Sequence, residues 1–227
     1  MQWITRLEQK YRRFRIPNLT LILLVGMVAV FILHILWFTL SLFGGDVYGP
    51  IYYFYLSRDE VLSGQIWRLI TFLFIPRTLG VNLWTVVNFY FVYYIGREVE
   101  SRWSGFRFTL YALLGWLCAV IAVLVGGEGT NYFLLLSFFL AFATLASDTQ
   151  ITLFYIIPIK AKWLGLLYVG FALYEVYTYF AIMPSLGLSF LITLLFSLVP
   201  YFLFFGPTLW QGLQEIIRVQ KWRQKNR

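Results

Sequence analysis

Cysteine and histidine are almost absent from this chain of 227 residues, which has one of each. A single cysteine excludes an internal disulfide, and because Cys118 lies in an apolar run it leaves the redox compartment open. The single histidine, His34, excludes a His-Glu-x-x-His zinc site. Two carboxylates that could form a dyad, Glu128 and Asp148, lie near opposite ends of one apolar run. The sequence therefore predicts no metal and no cofactor.

Charge is also scarce, since only 12% of the residues are charged and 60% are hydrophobic. A soluble protein of this size cannot cover so much apolar surface, whereas a bilayer lets a helix be apolar on every side. The composition thus predicts a membrane protein. The first apolar run, about residues 19–43, is too long for a signal-peptide core and has no small-x-small cleavage site, so we expect it to be retained.

Six apolar runs are each about long enough to cross a hydrocarbon core. They cover approximately residues 19–43, 82–100, 106–126, 131–147, 163–182 and 186–205. We therefore predict an all-α membrane protein with six transmembrane helices. The fourth is the shortest and its register stays open, because Gly126, Gly127 and Gly129 precede it. A helix this short can be buried by the others.

Lysine and arginine indicate the orientation. Of the 18 basic residues, 15 lie in the two tails and in the second-to-third and fourth-to-fifth connections. The other side has Arg58, Arg68 and Arg77. By the positive-inside rule both termini are cytoplasmic. The formal charge of +8 thus favours an anionic membrane surface over nucleic acid as the partner.

The two tails, residues 1–18 and 207–227, flank a membrane domain at 19–206. Apolar residues recur at helical spacing between basic ones in both tails, which is typical of amphipathic helices in the headgroup region. Ordinary stop-transfer flanks explain the charges equally well, and both interpretations remain open.

A long connection, about residues 44–81, separates the first two predicted spans and contains GQIWRLIT. Irregular backbone in hydrocarbon would leave amides unpaired, so this loop must fold on itself or lie at the interface. We expect Trp67 to sit in an interfacial aromatic belt and Arg68 to snorkel or to bind loop carbonyls.

These motifs together resemble the rhomboid superfamily of intramembrane proteins over roughly residues 20–205. The residues that carry the likeness are Gly64, Gln65, Trp67, Arg68, Thr71, Gly96, Glu100 and Arg107. The stretch 154–164 is similar to the loop before the fifth helix of that superfamily, and Trp-Arg-x-x-Thr is similar to its non-proteolytic derlin branch. The resemblance implies a six-helix bundle with a long interfacial first loop.

Active rhomboids use a serine on the fourth helix, a histidine on the sixth, and an Asn and a His on the second to hold the oxyanion. Here only the Asn remains, at Asn88, with Trp84 in place of its His. The nucleophile position holds Tyr132 or Asn131, depending on the register. The base position holds Leu186 or, one turn on, Phe190. The resemblance therefore implies a pseudoprotease.

Several polar or groove positions are candidates for binding transmembrane segments of client proteins. They are Trp84, Asn88, Asn131, Tyr132, Glu175, Leu186, Ser189 and Thr193. A carboxylate within a span costs at least a few kcal/mol, so Glu175 should face the bundle, either lining a polar groove or bonding a neighbouring helix. The small hydroxyl residues at 185, 189, 193 and 197 form one face that favours close helix packing. His34 fits a structural hydrogen bond better than a catalytic role.

Three functions remain open at this point. The first is client binding, with derlin-like quality control of membrane proteins as its sharper form. The second is an active intramembrane serine protease with displaced catalytic groups, and the third is a small transporter or channel. Membrane lipids are expected partners in each case, and the oligomeric state stays open. The compact tails favour a bacterial plasma membrane over an endoplasmic reticulum membrane.

Overall fold

The six apolar runs fold into helices, joined by short helical turns and one β-hairpin. The structure is a computed structural model that describes residues 2–11, 13–41, 49–127, 129, 131–153 and 157–225. Ten α-helices lie in this part of the chain. In order they are α1 Gln2–Tyr11, α2 Leu19–Ser41, α3 Pro50–Phe54, α4 Arg58–Leu62, α5 Arg68–Thr71, α6 Leu83–Arg102, α7 Gly105–Val125, α8 Tyr132–Leu145, α9 Ala161–Ile182 and α10 Pro184–Lys225. A 3-10 turn, Phe72–Phe74, follows α5.

Four helices are long and apolar enough to cross a membrane, which marks the chain as an integral membrane protein. They are α2, α7, α9 and the Pro184–Gly212 part of α10. The other two predicted spans are also helices, α6 and α8, but differ in composition or length. The last turns of α6 carry Arg97, Glu98, Glu100 and Arg102. At 1.5 Å per residue, the 14 residues of α8 cover about 21 Å, which is less than the ~30 Å hydrocarbon core.

The short helix α8 lies at the centre of the bundle. It packs against α6, α7, α9 and α10, and nine of its residues are buried. The buried Tyr111 hydroxyl of α7 donates to the Ser137 carbonyl of α8 at 2.8 Å. The prediction that a short fourth helix is buried by the others is therefore confirmed.

The helices α6 and α9 both pack on α8 but barely touch each other within the described chain. On its other side α6 packs closely on α2. A Cβ atom added at Gly96 would lie 2.5 Å from the Cγ2 atom of buried Thr20, so glycine permits this approach. The bundle is thus tight between α2 and α6 and open between α6 and α9.

The last helix, α10, runs without a break through Pro200 and Pro207. Its 42 residues extend about 63 Å, roughly twice the ~30 Å thickness of a hydrocarbon core. The predicted C-terminal tail is therefore helical as far as Lys225 and continuous with the sixth apolar run. At the other end of the chain, α1 contacts α7, where Arg107 Nε donates to the Glu8 carboxylate at 2.8 Å.

An all-α description leaves out a short antiparallel hairpin before α9. Its strands are β1 (Gln150–Leu153) and β2 (Ile157–Lys160), with Gln150 opposite Lys160. Both strands contain β-branched residues, which favour extended structure. The stretch 154–164 that is similar to rhomboid loops therefore overlaps β2 and the start of α9, while Phe154, Tyr155 and Ile156 lie outside the described residues.

Candidate functional site

Arg68 organises the loop between α2 and α6 from a buried position. Only 2% of the residue is exposed, and its NH1 atom donates to the carbonyls of Tyr52 and Tyr55, each at 2.7 Å. The last carbonyls of a helix have no partner within that helix, so Arg68 caps α3 from outside. The Glu60 carboxylate lies 3.7 Å away. The expectation that Arg68 binds loop carbonyls is confirmed.

The neighbouring motif residues bind the carbonyls in between. Trp67 Nε1 donates to the Tyr53 carbonyl and Thr71 Oγ1 to the Phe54 carbonyl, each at 3.2 Å. Three side chains thus satisfy the four successive carbonyls from residue 52 to 55. Trp67 remains half-exposed, as an interfacial tryptophan requires.

Gln65 and Gly64 complete the motif. The Gln65 side-chain oxygen accepts from Arg68 Nε at 2.7 Å, and its amide donates to the Glu60 carboxylate. Gly64 has φ +105°, a left-handed conformation that favours glycine. The motif is therefore a self-contained set of main-chain caps for the loop between α2 and α6.

A lateral cavity of about 530 Å³ lies where α6 and α9 separate. Its lining comes from α2, the loop before α6, and α6 to α9. The lining residues are Thr20, Leu23, Met27, Leu73, Arg77, Thr78, Trp84, Val87, Asn88, Phe91, Val92, Ile95, Gly96, Phe108, Asn131, Leu134, Leu135, Phe138, Phe139, Leu164, Leu167, Tyr168 and Phe171. Trp84, Leu167 and Phe171 are more than half exposed, so the cavity opens to the surface of the bundle between α6 and α9.

Three buried polar atoms in this largely apolar lining have no hydrogen-bond partner among the described residues. They are Asn88 Oδ1, Thr78 Oγ1 and Thr20 Oγ1. A buried polar group without a partner costs roughly 1–3 kcal/mol. Of these atoms, Asn88 Oδ1 is an acceptor only, because an amide oxygen carries no hydrogen.

Asn131 precedes α8, at one of the two registers of the rhomboid nucleophile, and is 5% exposed. Its Nδ2 atom donates to the Leu73 carbonyl at 3.0 Å and to the Ile75 carbonyl at 2.9 Å. The side chain thus ties the start of α8 to the end of the loop between α2 and α6. Both amide hydrogens are used in this way, so Asn131 acts as a cap and not as a nucleophile.

Asn131→Asp should lower the free energy of unfolding by about 1–3 kcal/mol, because it removes both donors and sets a carboxylate against two carbonyls. The measurement is unfolding in detergent micelles. Asn82→Asp is the matched control, since the Asn82 side chain accepts from Thr85 N–H at the start of α6 and aspartate accepts equally well. Equal losses in the two variants would contradict this role of Asn131.

A second pocket of about 430 Å³, here called the tyrosine pocket, adjoins the lateral cavity and shares Arg77, Tyr168 and Phe171 with it. Its full lining is Arg77, Tyr132, Tyr168, Phe171, Tyr174, Glu175, Thr178, Tyr179 and Ile182. Two predicted site residues, Tyr132 and Glu175, thereby come together. In the sequence Arg77 is one of only three basic residues outside the tails and the two basic connections, and no spacing connects it with α8 or α9.

Arg77 is the centre of this pocket. Its guanidinium lies 3.9 Å from the centroid of the Tyr132 ring, donates to Tyr168 Oη at 3.3 Å, and is 3.8 Å from the Glu175 carboxylate. Burial opposes its charge, but Tyr168, Tyr132 and Glu175 outweigh this and raise the pKa of Arg77 above its ordinary value. The side chain is therefore a permanent cation, and Glu175 faces an opposite charge.

The predicted site residues of the sixth apolar run lie elsewhere. Leu186, Ser189 and Thr193 line neither the lateral cavity nor the tyrosine pocket. Ser189 Oγ and Thr193 Oγ1 bond carbonyls one turn back on α10, at 3.2 and 3.0 Å. Thr193 is buried, which agrees with the packing role expected of the hydroxyl face.

His34 lies on α2 and takes no part in this site. Its ring stacks on Trp37 with centroids 5.9 Å apart, and its Nδ1 atom has no hydrogen-bond partner in the described part of the chain. The expected structural hydrogen bond at this nitrogen is therefore not seen. His34 lines neither of the two pockets, so no imidazole reaches Asn131 or Tyr132 there.

The remaining motif residues are Gly96 and Glu100 on α6 and Arg107 on α7. Gly96 permits the α2 contact, and Arg107 pairs with Glu8. The Oε2 atom of Glu100 is buried and has no hydrogen-bond partner among the described residues, and nothing in the structure explains this.

The chain matches no family model, no curated protein and no solved structure. The proposed function therefore depends on the residues themselves, on the lateral cavity between α6 and α9 and on the adjoining tyrosine pocket.

Proposed function

We propose that the chain is a catalytically inactive, rhomboid-like membrane protein that binds transmembrane segments of other membrane proteins. The observation that carries this proposal is a lateral cavity, open between α6 and α9, in which Asn88 Oδ1 has no partner among the described residues. A membrane segment that unwinds exposes backbone N–H groups that need acceptors. Asn88 offers one at the wall of the cavity.

The proposal includes six membrane helices with both termini in the cytoplasm. The excess of basic residues in the tails supports this orientation. α6 and α8 would complete the bundle, and α8 can be short because its neighbours cover it.

Hydrolysis is disfavoured by the chemistry at the positions that the rhomboid resemblance assigns. Asn131 is a cap, Leu186 lies away from the cavity, and His34 stacks on Trp37. The buried Ser137 of α8 has its hydroxyl 2.5 Å from Tyr111 Oη, and a phenol at neutral pH is a poor base for activating it. Client binding without cleavage is the function that these groups support.

Cavity size restricts how a client enters. A helix 10 Å wide and about 18 Å long occupies roughly 1,400 Å³, well above the cavity volume of about 530 Å³. The cavity therefore accepts an extended segment, or it must widen as α6 and α9 separate. Either route suits marginally stable transmembrane helices, which is consistent with derlin-like quality control.

A photocrosslinking amino acid at Val92, which lines the cavity, should capture transmembrane segments of other proteins in native membranes. The matched control is the same amino acid at Val86, which is on α6 but exposed and outside the lining. Capture at Val92 should fall roughly three- to tenfold in an Asn88→Leu background, which is the loss of affinity expected when one hydrogen bond is removed. Adducts are identified by mass spectrometry of the crosslinked peptides.

Equal capture at Val92 and Val86, or capture that does not change with Asn88→Leu, would rule out this site.

A second experiment tests for protease activity by incubating the purified protein with single-span substrates. Reproducible cleavage that is lost in Ser137→Ala or His34→Ala would replace client binding by protease activity.

A further inference from the structure

The lateral cavity and the tyrosine pocket share Arg77, Tyr168 and Phe171 in their linings, and we infer that together they bind a single zwitterionic aminophospholipid. One acyl chain fills the lateral cavity, while the phosphate and the ammonium of the headgroup bind Arg77 and Glu175 in the tyrosine pocket. Lipid binding at this site does not require that the protein also binds clients.

The length of the cavity matches one acyl chain. Its lining on α6 extends from Trp84 to Gly96, which is about 18 Å along the helix axis. One leaflet spans about half of the ~30 Å hydrocarbon core. The acyl chain of a phospholipid is therefore about as long as this part of the cavity lining. The volume of about 530 Å³ is too small for a helix of that length but sufficient for one flexible chain.

The lining and the opening also favour a lipid chain. Most of the side chains that face the cavity are aliphatic or aromatic, such as Leu135, Phe138 and Leu164. Apolar cavities are poor sites for water. Because the exposed faces of Leu167 and Phe171 lie at the opening, hydrocarbon from the bilayer can enter directly.

The two charged side chains of the tyrosine pocket, Arg77 and Glu175, are complementary to a zwitterionic headgroup. Arg77 has five N–H donors, its side chain is 41% exposed, and it approaches Glu175 only to 3.8 Å, so donors remain for a phosphate. The Glu175 carboxylate, 31% exposed, would repel a purely anionic headgroup and attract an ammonium. The surrounding tyrosine rings add cation–π attraction for that ammonium.

The test is native mass spectrometry of the full-length protein, offered equal amounts of phosphatidylethanolamine and phosphatidylglycerol with identical chains. We expect one phosphatidylethanolamine to be retained in preference to phosphatidylglycerol. Arg77→Gln should lower retention of both lipids about tenfold or more. Glu175→Gln should lower the ratio of phosphatidylethanolamine to phosphatidylglycerol by at least about threefold.

Arg58→Gln is the charge-matched control, because Arg58 is exposed in the same loop and lines neither pocket. To test the part of the site that holds the acyl chain, Leu135→Trp narrows the lateral cavity and should reduce lipid retention, whereas Val86→Trp on the exposed face of α6 should not. Unfolding midpoints show which variants are folded, and the lipid preference of the unmodified protein is decisive even if a variant does not fold. Equal retention of the two lipids by the unmodified protein, or equal losses in Arg77→Gln and Arg58→Gln, would overturn the inference.

Discussion

Arg68→Ala is expected to lower the free energy of unfolding by about 3–5 kcal/mol, the range found when one partner of a buried charged network is removed. The substitution leaves the Tyr52 and Tyr55 carbonyls without their donor and the Glu60 carboxylate without its cation. It also leaves a void where a side chain with 2% exposure was packed. The loop between α2 and α6 should therefore detach first, which would be seen as increased proteolysis between residues 50 and 76.

The measurement is unfolding in detergent micelles, together with limited proteolysis of the loop. Arg58→Ala removes the same charge from an exposed position and should cost little. Arg68→Lys should recover only part of the loss, because an ammonium cannot bind Gln65, Tyr52 and Tyr55 with the fixed geometry of a guanidinium. Comparable stability of Arg68→Ala and Arg58→Ala would show that the loop does not depend on these caps.

Gly129→Val is expected to lower the free energy of unfolding by about 3 kcal/mol or more. Gly129 is buried, and a Cβ atom added there would collide with the main-chain carbonyl of Leu56. A backbone neighbour cannot rotate away as a side chain does, so the loop between α2 and α6 and the start of α8 would have to separate. Overpacking of this kind costs typically 1–3 kcal/mol and occasionally more.

Gly170→Val is the matched control, because Gly170 is an exposed helical residue with nothing within 4 Å of an added Cβ atom. Its stability should be close to that of the unmodified protein when both are measured by the same unfolding assay. If Gly129→Val also unfolds like the unmodified protein, the close contact between the loop and residue 129 is not a constraint on the fold.

Both substitutions act on the loop between α2 and α6, and the two pockets depend on the same loop. Leu73, Arg77 and Thr78 belong to it and line the lateral cavity. Asn131 binds the Leu73 and Ile75 carbonyls and so fixes this edge of the cavity. Loss of the Arg68 caps is therefore expected to reduce both client crosslinking and lipid retention, although Arg68 lines neither pocket.

The helical elements of this protein could be predicted from the sequence because apolar runs of sufficient length specify membrane helices locally. The runs at 19–43, 106–126, 163–182 and 186–205 correspond to the four helices that can cross a membrane. The role of Arg68 could also be anticipated, since a charge within a loop at the interface must find carbonyls or water. These are local requirements that each segment satisfies through its own residues.

Other features depend on contacts between segments far apart in the chain. Arg77 meets Tyr168 across 91 positions of sequence, and Asn131 reaches Leu73 across 58. No periodicity or motif specifies such pairs, because they arise only when α8 and α9 pack beside the loop. The same packing decides that Leu186 and His34 lie outside the site.

The sequence by itself determined that this is a helical membrane protein, where its apolar helices lie, and that it has only one histidine. Only the tertiary structure decided that α6 and α9 separate over α8, that a cavity of about 530 Å³ opens there, and that Arg77 and Glu175 meet in the adjoining tyrosine pocket. The physical reason is that hydrophobic length and side-chain chemistry are properties of a segment. A cavity and an ion pair are properties of the space between segments, which packing alone creates.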